Sequence, residues 1–155
     1  MNLYAKLCER AELDKPLRVG LIGAGKFGSM YLAQVPRTPG VHLAGIADLS
    51  PNTAYRNLKL VGWAPEQYGA SSLDAAIKTG ATHVTDDWRA LVVHEGIEIV
   101  IECTGDASAA VEHCLAAFRN GKDVINVTVE ADAFCGPILA RRARSAGVIY
   151  SLAYG

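Results

Sequence analysis

Leu17-Arg18-Val19-Gly20-Leu21-Ile22 runs straight into Gly23-Ala24-Gly25-Lys26-Phe27-Gly28. The first six residues have the branched, near-continuous apolar character of a strand buried on both faces. The next six fit GxGxxG and open a helical stretch, Lys26 to Gln34, that Pro36 and Pro39 end. Each glycine answers a separate need. Gly23 permits a tight turn, Gly25 lets backbone approach a pyrophosphate with no Cβ in the way, and Gly28 allows the helix to pack closely on the strand. The helix start adds unpaired N–H groups and partial positive charge, so Lys26 and Phe27 belong to the same phosphate cradle.

Downstream, Val41–Ala47 reads as a second apolar strand and closes on Asp48, twenty residues after Gly28. An acid at that spacing takes ribose hydroxyls. A carboxylate there favours the 2′-hydroxyl of NAD over the 2′-phosphate of NADP. Ser50, Asn52 and Arg56 follow closely, however, and a nearby cation can receive that phosphate. The residues themselves lean only slightly to NAD.

Beyond Asp48, strand-like and helix-like segments take turns. Residues 2–12 place Leu3, Leu7 and Ala11 on one face of a lead-in helix, which Pro16 separates from the main domain. Pro51 starts a helix through Leu60, Gly62–Gly69 reads as loop, and Ser72–Lys78 as a short helix. Thr82–Thr85 is a strand, Asp86–Val93 a helix, Ile97–Cys103 a strand. The next helix carries Val111, Leu115 and Phe118 and stops at Asn120-Gly121. Asp123–Val127, a helix over Ala133–Ala146 and a strand over Val148–Leu152 complete the chain. Six strands of buried type separated by helices predict an α/β fold of Rossmann kind. Its doubly wound parallel sheet has the order 3-2-1-4-5-6 and helices on both faces. Residues 1–16 form the lead-in and 17–155 the dinucleotide-binding domain.

Two further strand ends carry polar residues. Glu102-Cys103-Thr104-Gly105-Asp106 closes the strongest strand, and Thr104 and Gly105 are expected beside the cofactor. Asp106 and Ser108 serve equally as helix caps. Cys103 has no histidine placed to activate it and reads as a small buried hydrophobe. Asn126-Val127-Thr128-Val129-Glu130-Ala131-Asp132 closes the fifth strand. Asn126 there is either a cofactor contact or part of a capping loop with acids in the first helical turn. The four histidines show no metal-ligand spacing and read as surface or edge residues, and no metal site is assigned. Arg141, Arg142 and Arg144 read as a solvated helix face.

Composition sets the outer bounds. The chain has 155 residues, half of them hydrophobic, and a net charge of −1, which suits a globular domain and gives no basic cluster for nucleic acid. Apolar runs fall far short of the ~18 residues that span a bilayer, and the N-terminal residues do not resemble a secretory signal. Four cysteines without CxxC pairing suit free thiols in a reducing cytoplasm.

Taken together, VGLIGAGKFGSM, IADLSP, VTDDW, IVIECTGD and VINVTVEAD resemble the nucleotide-binding domain of homoserine dehydrogenase-type oxidoreductases. The likeness runs from Leu17 to Gly155. It is greatest to the branch described as deoxyxylulose-phosphate reductoisomerase-like, whose members carry a C-terminal SAF domain. That resemblance implies an NAD(P)-dependent oxidoreductase of isoprenoid precursor synthesis, acting on a small polar, phosphorylated substrate. It further implies NADP as cofactor in preference to NAD, a divalent metal and a homo-oligomer in the full-length enzyme, and no membrane or nucleic-acid partner. Homoserine dehydrogenases usually place Ala-Asn-Lys after the fifth strand. Here Asn126 is followed by Val127-Thr128-Val129-Glu130, which counts against homoserine and leaves Glu130 and Asp132 as catalytic candidates. The resemblance also puts the substrate domain outside this chain, so residues 1–155 are expected to bind cofactor without turnover. A homoserine dehydrogenase-like enzyme and a non-catalytic redox-sensing module are the alternatives.

Overall fold

The computed structural model describes residues 2–153; the expected domain's last two residues, Tyr154 and Gly155, lie outside the described residues. After α1 (Leu3–Glu12) come β1 (Leu17–Ile22), α2 (Lys26–Gln34), β2 (Val41–Ala47), α3 (Pro51–Leu60), α4 (Leu73–Thr79) and β3 (His83–Thr85). The second half is α5 (Trp88–Val93), β4 (Ile99–Glu102), α6 (Ala107–Arg119), β5 (Asp123–Asn126), α7 (Val129–Ala146) and β6 (Tyr150–Leu152). The strands form one sheet in the order β3-β2-β1-β4-β5-β6, and every neighbouring pair is parallel. The order reverses between β1 and β4, which opens a crevice at the carboxyl ends of those two strands.

Two cores cover the two faces. On one, Leu32 of α2 and Ala54 and Leu58 of α3 pack on Val19, Leu21, Leu43 and Ile46. On the other, α4 to α7 supply residues such as Leu91, Phe118 and Leu139 to a layer over Ile22, Ala44, Ala47 and Val100. Leu91 needs unusual closeness. A Cβ on Gly20 would lie 2.3 Å from its Cδ2, and one on Gly45 would lie 3.0 Å from its Cδ1. The adjacent glycines on β1 and β2 thus form the seat for α5.

The β1–β2 register slips once. Val19 pairs with Leu43, but Gly20 pairs with Gly45, leaving Ala44 as an extra residue. Ala44 and Gly45 both face the α5 side, two consecutive residues on one face, as a β-bulge requires.

Several boundaries differ from expectation for local reasons. The presumed loop Gly62–Gly69 contains a 3-10 turn over Pro65–Tyr68, where proline fixes the first φ. Asp87 caps α5 by accepting the Ala90 amide at 3.0 Å, so that helix starts two residues late. The apolar run Ile97–Cys103 overstates β4, because Ile97 closes a turn onto the His94 carbonyl. The last helix begins at Val129 rather than Ala133 and breaks at Cys135 (φ −144°, ψ 21°), two residues before Pro137. A proline ring excludes the carbonyl four residues back and supplies no amide hydrogen, so the helix bends there. The lead-in helix buries none of its residues. It is tied down by Arg10, which donates to Glu98 at 2.7 and 3.0 Å.

Candidate functional site

The glycine loop turns at Gly23, whose φ of +95° only glycine adopts without strain. A Cβ there would also lie 2.9 Å from the Cys103 backbone. At Gly28 a Cβ would lie 2.5 Å from the Gly23 carbonyl oxygen, so this third glycine lets helix and loop touch. Gly25 is different: a Cβ there meets nothing within 4 Å. No contact within the protein therefore requires glycine at this position, and the space above it is open to a ligand. Gly25 is also the N-cap of α2 and makes no side-chain cap bond, leaving the first-turn amides unclaimed.

Asp48 stands at the end of β2 beside this loop. Its Oδ2 accepts the Ala24 amide at 2.7 Å and its Oδ1 accepts the Ser50 amide at 2.8 Å. Each oxygen retains a lone pair, so the carboxylate can still take ribose hydroxyls. Asn57 holds the loop from the other side, donating to the Ala24 carbonyl at 2.6 Å. Nothing in the sequence spacing singled out Asn57.

A crevice of about 370 Å³ lies over the point where the strand order reverses. Gly23, Gly25, Asp48, Trp88, Thr104 and His113 are among its walls. A larger depression, about 680 Å³, sits at the opposite end of the sheet around Arg18, Val41 and Thr82. The carboxyl-end crevice is the one with the glycine loop, and ligands of open parallel sheets bind at that end. Its rim is acidic. Asp86, Asp106 and Glu112 join Asp48 there, while Arg89 is bound to Glu112 at 2.6 Å and lies 4.2 Å from the Trp88 ring centroid. Among the described lining residues Arg89 is the only lysine or arginine, and it is paired with Glu112.

The other expected residues divide. Gly23, Gly25, Asp48 and Thr104 meet at the crevice. Lys26 and half-buried Phe27 begin α2, and Ser50 and Arg56 are exposed near the end of β2 and on α3. Gly105 turns with φ +76° and gives its amide to Thr128 Oγ1 at 3.0 Å. Asp106 caps α6, accepting the Ala109 amide at 2.8 Å, as the capping alternative required.

Asn126 needs correction as a cofactor contact. It is fully buried, and its amide donates to the Thr128 carbonyl at 3.1 Å and to the Tyr150 hydroxyl at 3.0 Å. The side chain is consumed in joining β5, β6 and α7. Of the two acidic candidates, Glu130 is exposed on the first turn of α7. Asp132 accepts the Tyr150 hydroxyl at 2.9 Å. Burial and Asp132 both push the Tyr150 phenol well above its ordinary range. The divalent metal implied by the resemblance finds no donor set here: among the described residues no three His, Cys, Asp or Glu side chains gather.

Cys103 is buried, and its Sγ donates to the Gly23 carbonyl at 2.9 Å. Burial first, then the nearby Glu102 and Asp48, push its thiol up to about 12. It is a packing residue, as its lack of a histidine partner suggested. The histidine reading fails once. His113 is buried rather than at an edge, stacks edge-on against Trp88 at 4.5 Å, and places Nδ1 3.3 Å from Glu102 Oε1. Glu102 is itself fully buried. In sequence it read only as the polar end of a strand.

The comparisons with known proteins agree with this geometry. A family model described as homoserine dehydrogenase, NAD binding domain, matches residues 23–152. Homoserine dehydrogenase of Pseudomonas aeruginosa is 28% identical over 135 residues, covering 87% of this chain and 28% of that protein. The Methylobacillus glycogenes enzyme is 32% identical over 113 residues, 72% of this chain and 24% of that protein. The chain thus spans roughly a quarter of the length of these curated relatives. Among solved structures, homoserine dehydrogenase from Thiobacillus denitrificans matches with a TM-score of 0.69 at 22% identity, covering 89% of this chain and 29% of that one. GenD2 from gentamicin A biosynthesis, solved in complex with NAD, matches with a TM-score of 0.61 at 19% identity, covering 88% and 34%. At such identities the structures speak for the fold alone. These findings favour homoserine dehydrogenase kinship over the reductoisomerase-like branch to which the motifs were closest, and they give no support to an isoprenoid role. The chain belongs to the homoserine dehydrogenase NAD-binding domain family.

Proposed function

We propose that this chain is the cofactor-holding part of a homoserine dehydrogenase-like oxidoreductase, and that it takes NAD in preference to NADP. The single observation behind this reading is the open space at Gly25 beside the uncapped start of α2, with Asp48 fixed next to it. The unclaimed amides of the first turn would receive the pyrophosphate, and Asp48 the adenosine ribose. Thr104 would lie toward the nicotinamide half. A bound nicotinamide dinucleotide supplies or accepts the hydride. This chain's residues bind it, orient it and line one side of its crevice.

The preference for NAD reverses the expectation drawn from the motif resemblance. Asp48 and the acidic rim oppose two further negative charges at the ribose, and like-charge juxtaposition costs several kcal/mol. Ser50 and Arg56 remain the groups through which NADP would have to be accommodated. For catalysis, Glu130 and Asp132 remain the candidate acids, on α7 just after β5, with Asp132 engaged by Tyr150. Residues 1–155 alone therefore hold the dinucleotide without turnover, because substrate must be fixed within roughly 3–3.5 Å of the reacting carbon.

A second reading keeps the reductoisomerase-like enzyme, favoured by the absence of lysine from Asn126-Val127-Thr128-Val129-Glu130. Titration calorimetry with NADH and NADPH tests the cofactor. Tighter NADH binding is expected, and tighter NADPH binding would overturn the preference. Nicotinamide absorbance with homoserine, and separately with deoxyxylulose phosphate plus Mg²⁺, tests the reaction class in a form that includes the remaining length of the relatives. Oxidation of homoserine supports the first reading; reduction of deoxyxylulose phosphate would replace it with the second.

A further inference from the structure

Glu102 ends β4 with a fully buried carboxyl group, and donors converge on it from two loops and a helix. Its Oε1 accepts the Thr104 hydroxyl at 2.5 Å and the Thr104 amide at 3.2 Å, and His113 Nδ1 on α6 lies 3.3 Å away. Its Oε2 accepts the Thr128 hydroxyl. Thr128 Oγ1 then accepts the Gly105 amide at 3.0 Å, which closes a ring between the segment after β4 and the segment after β5. His113 and Thr104 also form part of the crevice wall. The ring is thus shared between the core and the binding surface.

Asp48 would mark the adenosine half of the crevice, over β2. The other half of an extended dinucleotide must then run over the carboxyl ends of β4 and β5, where this ring lies. We propose that Glu102 is a positioning residue for the nicotinamide half of the dinucleotide: it fastens the Thr104–Gly105 and Thr128 segments together, so that they present one preformed wall to the nicotinamide and its ribose. This inference rests on the dinucleotide reading above.

The chemistry of the ring explains why a carboxylate is needed. A carboxylate is acceptor-only, and both of its oxygens here face donors. In Glu102→Gln the new NH₂ would stand either against the Thr104 amide and hydroxyl or against the Thr128 hydroxyl. Toward Thr104 the NH₂ meets the backbone amide, donor against donor; toward Thr128 it can be accepted by the hydroxyl, which then loses its own acceptor, so either orientation costs the ring a bond. Thr128→Val removes both the donor to Glu102 and the acceptor for Gly105, whereas Thr128→Ser retains the hydroxyl.

The test compares NAD with ADP-ribose, which shares the adenosine and pyrophosphate but lacks the nicotinamide. For the unaltered chain, titration calorimetry should show NAD binding more tightly than ADP-ribose. Glu102→Gln and Thr128→Val should each weaken NAD by about fivefold while ADP-ribose stays within about twofold, and Thr128→Ser should restore NAD binding. Equal loss for both ligands would mean the ring only stabilises the fold. Equal affinity of the unaltered chain for both ligands would mean these loops do not hold the nicotinamide. Either result overturns the proposal. If the unaltered chain bound neither ligand, the dinucleotide reading itself would fall. Should Glu102→Gln fail to fold, the contrast between Thr128→Val and Thr128→Ser decides by itself.

Discussion

The Ala24 amide donates to Asp48 Oδ2 at 2.7 Å, so the middle of the glycine loop is fastened to the end of the neighbouring strand. One carboxylate therefore holds the cradle in shape and stands where a ribose would lie. Asp48→Asn keeps the size but removes the charge, and its NH₂ can satisfy neither the Ala24 nor the Ser50 amide. The NADPH-to-NADH ratio of affinities should move about tenfold toward NADPH, equivalent to about 1.4 kcal/mol. Calorimetric Kd values for both cofactors read this directly, and an unmoved ratio removes Asp48 from cofactor choice.

The three glycines should separate stability from binding. Gly25→Val places its side chain in open space, so the melting temperature should stay within a few degrees while dinucleotide binding is lost. Gly23→Ala and Gly28→Ala each drive a Cβ against backbone, at 2.9 and 2.5 Å, and should cost about 1–3 kcal/mol of stability. Thermal denaturation beside calorimetry distinguishes the two classes. A Gly25→Val chain with normal affinity would take the loop out of the phosphate site.

Tryptophan emission offers a readout of occupancy. Trp88 lines the crevice and contacts His113 and Arg89. Trp63 is buried and donates Nε1–H to the Leu32 carbonyl at 2.8 Å. Added NAD⁺, which does not absorb at tryptophan's emission wavelengths, should quench emission in Trp63→Phe but not in Trp88→Phe. The opposite pattern would place the dinucleotide elsewhere.

Alkaline pH should destabilise the fold through groups that burial keeps protonated. Burial pushes the Cys103 and Cys114 thiols from an ordinary value of 9.0 to about 12, and the Tyr31 phenol from 10.0 to about 12. The folded state holds these protons longer than the unfolded state, so their contribution is complete below about pH 9 and declines as pH rises toward 12. Lys122, lowered by burial, acts in the opposite sense but is one group against four, since the Tyr150 phenol is raised as well. Denaturant titrations from pH 8 to 11 should show a falling midpoint, and Cys103→Ala with Cys114→Ala should flatten the slope. In the same pH range a thiol reagent should label half-buried Cys8 and Cys135 well before the other two.

The sheet was legible because its signals are local and repeated. Leu17–Ile22 is apolar apart from Arg18 because helices cover both faces of its buried part, and Gly23–Gly28 follows at once. Asp48 was legible by spacing alone. What the sequence concealed depends on partners far apart in the chain. Glu102 and His113 are eleven positions apart, with nothing local to show that both turn inward, and Thr128 joins them from beyond the next strand. Asn126 misled for the same reason. Its place at the end of β5 is a ligand position, yet Tyr150 draws the amide into the core. The break at Cys135 does have a local signal, Gly136-Pro137, but the helical composition on both sides outweighs it in a reading by periodicity.

The extra residue in β2 bears on how such a site could change. With Ala44 deleted, Leu43, Gly45, Ile46 and Ala47 would simply alternate, each facing the layer it faces now and keeping its partner on β1. The bulge is thus not needed to set which face each neighbour takes, although Ala44 itself is fully buried. Its physical effect is the added bend and twist of the strand that ends at Asp48. A single-codon deletion could therefore redirect the carboxylate relative to Ala24 while every apolar neighbour stayed in place. The facing of the core residues and the direction of Asp48 are thus set by different features of β2, its alternation and its bulge.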